Sequence, residues 1–152
     1  MSIVKYHRRL PEMLIKQWDL LRGDRPFPSE DEFSPEIIDD MGFWENCFLT
    51  QAHDIKRGKD YNYTYIGSNI LEAYQGDLLG VSVHSVASPS ADNLTLRYQQ
   101  VMATQTPLTS EGEFLNARNM NVRYRQCLVP LGKNGKVDTV MGAIRYMLYP
   151  DG

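Results

Sequence analysis

Four kinds of side chain in this 152-residue chain have types and spacings that can do chemistry. The first is a run of phenols. Tyr61, Tyr63 and Tyr65 alternate in YNYTYIG, so a regular strand carries all three on one face. They either pack as core rings whose hydroxyls reach an edge or water, or wall a cavity and hydrogen-bond a polar ligand. The second is an amide. In NVRYRQCLVPL, Tyr124, Gln126 and Leu128 alternate with Arg123, Arg125 and Cys127. Two arginines are costly to bury unpaired, so the Tyr124 set is expected inward, which brings Gln126, donor and acceptor at once, to the interior.

The third is histidine. His84, in VSVHSVAS, taken with Asp77 or Glu113, is the one acid/base pair that can be assembled, and nothing in the sequence fixes its geometry. His7 and His53 read as surface residues, and three scattered histidines make no metal site. The fourth is thiol. Cys47 and Cys127 have neither CxxC spacing nor the density of a disulfide scaffold, and read as buried thiols in a reducing compartment. No GxGxxG, P-loop or GxSxG pattern is present, and GDLLG is too short and apolar to cradle phosphate.

These residues must be positioned by elements that the patterning suggests. PEMLIKQWDLLR is an amphipathic helix, with Leu10, Leu14, Trp18 and Leu21 on one stripe and Gly23 as a left-handed cap. The acidic, proline-rich GDRPFPSEDEFSPE holds no regular element until Ser34-Pro35-Glu36 opens a short helix closed by Gly42. FWENCFLTQAHD and YNYTYIG read as a hairpin, and Asn69 with Glu72 resembles a capping box for a short helix. Ser88-Pro89 starts a longer helix, with Ala91, Leu94, Tyr98, Val101 and Met102 on its buried face and Pro107 at its end. LTSEGEFLNA, NVRYRQCLVPL and VDTVMGAIRYMLY follow as strands, the last two joined by an Asn-Gly hairpin.

The expected fold is α+β: a five-stranded antiparallel sheet with helices on one face and an N-terminal helical lead-in. Residues 1–42 form an extension packed on the domain, and residues 43–149 form the domain itself. Helices inserted between strands two and three must cross the sheet and leave a cavity beneath them, a common place for a ligand. Its expected wall is Tyr61, Tyr63, Tyr65, His84, Tyr98, Met102, Tyr124 and Gln126. Gly142, opposite bulky neighbours, either relieves crowding or leaves room for a ligand. Arg145 and Glu113 are expected to pair across the sheet.

Totals narrow the function further. With 42% hydrophobic and 23% charged residues the composition is that of an ordinary globular domain. A net charge of −3 and no long basic run disfavour nucleic acid as a partner. No apolar run approaches the roughly 18 residues of a membrane span, and the basic N-terminus lacks a signal-peptide core, so the expected setting is cytoplasmic.

Four stretches together resemble a PAS domain: WDLLRGDRPFPSEDEFSPEII, YNYTYIGSNILEAYQGDLLG, RYRQCLVPLGKNG and VMGAIRY, running from Trp18 to Tyr146. The likeness is to a bacterial PAS subfamily found mostly in alphaproteobacteria, often as stand-alone proteins of this size. It implies a sensory or interaction module in signalling, not an enzyme, which acts through a signalling protein partner. The resemblance supplies no cofactor. A haem-binding PAS domain uses a histidine on its inserted helical region, and the longer helix here has none. A flavin photosensor needs an Asn-Cys-Arg-Phe-Leu-Gln-like word, also absent; haem and flavin are both disfavoured. In PAS proteins a leading amphipathic helix packs on the exposed sheet face or on a second subunit, and Leu14, Trp18 and Leu21 offer the apolar surface for homodimerisation. Three readings stand: a small-molecule sensor, a ligand-free interaction adaptor whose cavity is filled by side chains, and a small α+β cone-type enzyme using His84.

Overall fold

A computed structural model of the chain describes residues 3–4, 10–33, 44–56, 58–74, 91–115 and 120–149. Helix α1 spans Leu10–Arg22. Leu10, Leu14 and Trp18 recur every fourth residue, share one stripe and are buried, while Gly23 ends the helix at φ +59°. Two further helices, α2 (Ser68–Tyr74) and α3 (Ala91–Thr104), lie between the third and fourth strands.

The strands are β1 (Ile3–Val4), β2 (Cys47–Ile55), β3 (Gly58–Ile66), β4 (Leu108–Leu115), β5 (Asn121–Lys133) and β6 (Lys136–Tyr149). The five long strands form an antiparallel sheet in the order β3-β2-β6-β5-β4, and the two-residue β1 pairs with β6. The chain therefore leaves the sheet at one edge and re-enters at the other, with α2 and α3 between. The turn from β5 to β6 has Asn134 at φ 55° and Gly135 at φ 76°, the conformation that lets a two-residue loop follow the twist of its strands.

Each face of the sheet has its own core. On one side Phe48, Tyr61, Tyr63, Leu128, Val140, Ile144 and Tyr146 pack with Ile70 of α2 and with Tyr98 and Val101 of α3. On the other, Cys47, Leu49, Cys127, Val129, Leu131, Met141 and Ala143 pack under Leu10, Leu14 and Trp18 of α1. The indole Nε1 of Trp18 donates to the Pro130 carbonyl at 2.8 Å, fixing α1 to β5.

The stretch after α1 continues along that outer face. Phe27 and Phe33 are buried, and the Gly132 N–H donates to the Pro28 carbonyl at 3.0 Å. The segment before Ser34 does contain regular structure: a 3-10 turn over Glu30–Glu32, capped reciprocally by Ser29 and Glu32. Ser-x-x-Glu was the available signal for it. The expected helix over residues 35–41 lies outside the described residues. Among the described residues no helix is long and apolar enough to cross a membrane.

Two local expectations are corrected. Helix α2 begins at Ser68, and the Gly67 carbonyl accepts from the N–H groups of Ile70 and Leu71, so Gly67 holds the cap position. Asn69 stands inside the helix and donates instead to Asn46 Oδ1 at 2.8 Å, while Asn46 donates to the Ile144 carbonyl at 3.1 Å. Gly67 is required by proximity: a Cβ there would sit 2.1 Å from the Glu45 carbonyl oxygen. The strand foreseen from Phe43 begins only at Cys47, after a 3-10 turn at Trp44–Asn46.

Candidate functional site

The helix-side face of the sheet gathers most of the singled-out residues. Tyr61 and Tyr63 project from β3 and are buried, as is Tyr98 of α3. The Tyr98 ring meets Tyr61 edge-on with centroids 5.0 Å apart and lies stacked 6.3 Å from Phe48, whose other neighbour is Tyr63 at 5.7 Å. These are favourable offset and edge geometries for aromatic rings. Met102 and Tyr124 are half-buried and pack against the same cluster.

Gln126 is 1% exposed on this face, between Tyr124 and Leu128. Its Nε2 donates to Ser110 Oγ at 3.2 Å, its only side-chain hydrogen bond among the described residues. A side-chain amide has two donors and an acceptor with two lone pairs, so Gln126 keeps capacity for a further polar partner. Burial pushes the Tyr124 phenol above its ordinary pKa, so it stays a neutral donor and acceptor at physiological pH. Gly142 is explained by packing: a Cβ there would lie 2.2 Å from Phe48 Cζ, so its space is already taken by the ring.

Tyr65 does not belong to this wall. The β2–β3 register shifts between Leu49 and Thr50, so Thr50 faces Tyr63 while Leu49 faces Tyr65. This bulge turns Tyr65 to the outer face, where its ring stacks on Trp44 at 4.6 Å and its hydroxyl donates to the Trp44 carbonyl at 3.2 Å. Burial raises its pKa to about 12, with the neighbouring Cys47 and Glu45 adding to the effect. Ile66, which strict alternation would point away, joins Tyr61 and Tyr63 instead.

His84 and Asp77 lie outside the described residues. Glu113 is exposed on the opposite face at the sheet edge, bonded to Asn121 at 3.1 Å and Arg123 at 3.4 Å, and these contacts hold its pKa below the ordinary carboxylate range. It neither reaches the helix-side cluster nor pairs with Arg145, since β5 stands between β4 and β6. Among the described residues no group of histidine, cysteine or acid side chains could hold a metal ion. Both cysteines sit on the α1 side, buried, their pKa values pushed up chiefly by burial, Cys127 to about 12.

The residues expected to meet a second subunit also move. Leu14 is fully buried and Trp18 is 5% exposed, both against the chain's own sheet, with Leu21 half-buried beside them. Their apolar surface is used within the subunit. The exposed apolar side chains of α1 are Met13 and Leu20.

Comparison with solved structures places the fold. A light-oxygen-voltage (LOV) domain studied with a flavin analogue superposes with a TM-score of 0.58 over 76% of this chain and 87% of its own, at 11% identity. The Rhodobacter sphaeroides LOV protein gives a TM-score of 0.52 over 66% of this chain and 57% of its own, at 10% identity. Identities this low speak to the fold alone: a five-stranded antiparallel sheet with helices, as in PAS and LOV domains. No protein-family model and no curated protein matches the chain.

Proposed function

We propose that this chain is a PAS-type sensory module that binds a small molecule on the helix side of its sheet and signals through contact with another protein. The observation that carries the reading is Gln126, an amide buried on this face between Tyr124 and Leu128 with one side-chain hydrogen bond among the described residues. Tyr61, Tyr63 and Tyr98 supply apolar walls, Tyr124 a phenol, and Gln126 the fixed polar contact, the usual division of labour in a small-molecule site. The ligand expected is largely apolar with one group able to hydrogen-bond an amide. We place the protein in the cytoplasm of a bacterium, in the alphaproteobacterial PAS subfamily that its sequence resembles, and read it as a homodimer whose contact uses surface other than Leu14 and Trp18.

A second reading is favoured by the close ring contacts of Phe48, Tyr61, Tyr63 and Tyr98, which fill space as a plug would. On it the protein is a ligand-free adaptor. Glu113 is engaged by Asn121 and Arg123, His84 lies outside the described residues, and no catalytic residue is proposed. Thermal melts in a small-molecule extract of the host cell separate the two remaining readings. The sensor predicts a raised midpoint that Gln126→Leu abolishes; an unchanged midpoint in the wild-type protein favours the adaptor.

A further inference from the structure

A second site lies on the opposite face of the sheet, beyond the N-terminal end of α1. Three arginines of adjacent central strands share it. Arg125 of β5 pairs in register with Arg145 of β6, and Arg123 stands two residues along β5. Like charges directly opposite on neighbouring strands repel, so each guanidinium needs a counter-charge. Arg125 has Glu12 of α1 at 3.1 Å, and Arg123 has Glu113 at 3.4 Å. Arg145 has neither: among the described residues its buried Nε makes no hydrogen bond and no acid pairs with it. Glu111 faces Arg125 from the edge strand, two strands removed from Arg145.

The three arginines, Glu111 and Met147 border a cavity of about 190 Å³. That volume admits a phosphate or a carboxylate group. A guanidinium fork matches either oxyanion bidentately, and a partly buried fork without an acceptor gains most from one. We propose that this cavity is an oxyanion site in which Arg145 is the principal ligand and Arg125 and Arg123 flank it. The bound group is a phosphate or carboxylate, either free or carried by a small molecule. Tyr124 and Tyr146, which also pack in the helix-side cluster, line part of the cavity, but the arginine ligands stand on the other face and the proposal does not depend on the function proposed for the helix side.

Titration calorimetry of the full chain at fixed ionic strength, with inorganic phosphate in one arm and acetate in the other, tests the site and names the preferred group. Arg145→Gln is expected to weaken binding about tenfold or more. Glu111→Gln, which removes the one carboxylate lining the cavity that the described contacts leave unpaired, is expected to strengthen it. Arg145→Lys retains the charge without the fork and falls between. A parallel NMR titration follows the Arg145 Nε–H resonance, which must shift on saturation. Absence of binding in both arms, equal affinity in Arg145→Gln, or an unmoved Nε–H signal would overturn the proposal.

Discussion

Replacing Trp18 with phenylalanine separates a helix docked on its own sheet from a helix reserved for a second subunit. The substitution keeps most of the ring's apolar area but removes the indole N–H that donates to Pro130 at 2.8 Å in a buried setting. The Pro130 carbonyl then loses its partner, at about 1–3 kcal/mol. The smaller ring leaves a void in the cluster it shares with Leu14 and Val129, which brings the expected loss to roughly 2–4 kcal/mol. For a domain of this size that lowers the melting temperature by roughly 5–15 °C. Thermal melts should be paired with light scattering across a concentration series. The structure requires a lower midpoint with the mass in solution unchanged. A variant of full stability whose mass changes would refute the intrachain docking of α1.

The Phe48 ring over Gly142 gives a packing test: Gly142→Ala should destabilise by about 1–3 kcal/mol, and Phe48→Leu in the same chain should recover much of the loss. Urea unfolding of the single and double variants measures the coupling, and simple additivity would speak against the contact. The acid limb of stability offers a second. Arg25, and after it the Ser29 N–H, hold the Glu32 carboxylate below its ordinary pKa. A depressed carboxylate stabilises the fold above its unfolded pKa of about 4.3 and loses that contribution as pH falls through the folded value. Glu32→Gln should therefore lower the urea midpoint at pH 7, and the gap to wild type should shrink as pH falls below the ordinary carboxylate range; a gap that does not change with pH would discard the pair as its source.

Much of the fold was legible because the hydrophobic period agrees with the elements that formed. The Leu10–Leu14–Trp18 spacing, the Asn134-Gly135 turn and the Tyr124–Gln126–Leu128 alternation each carry a local cause. The site was harder to read for an equally physical reason. Tyr65 sits in unbroken alternation with Tyr61 and Tyr63, and only pairing with β2, through the shift at Leu49 and Thr50, turns it to the other face. No local residue announces that bulge. Asn69 looked like a cap because its amide favours such positions, but Asn46 claims that amide across 23 residues of chain. The empty counter-charge at Arg145 could not be foreseen either, since it depends on which strands become neighbours.

A small molecule held against Tyr61, Tyr98 and Gln126 is what separates the proposed sensor from a packed core. Native mass spectrometry of the protein purified from its own host addresses it directly. A sensor yields a non-covalent adduct of one defined mass, released on denaturation and absent from Gln126→Leu prepared alongside. A clean apo mass in repeated wild-type preparations would contradict it and leave the helix-side cluster as a packed core.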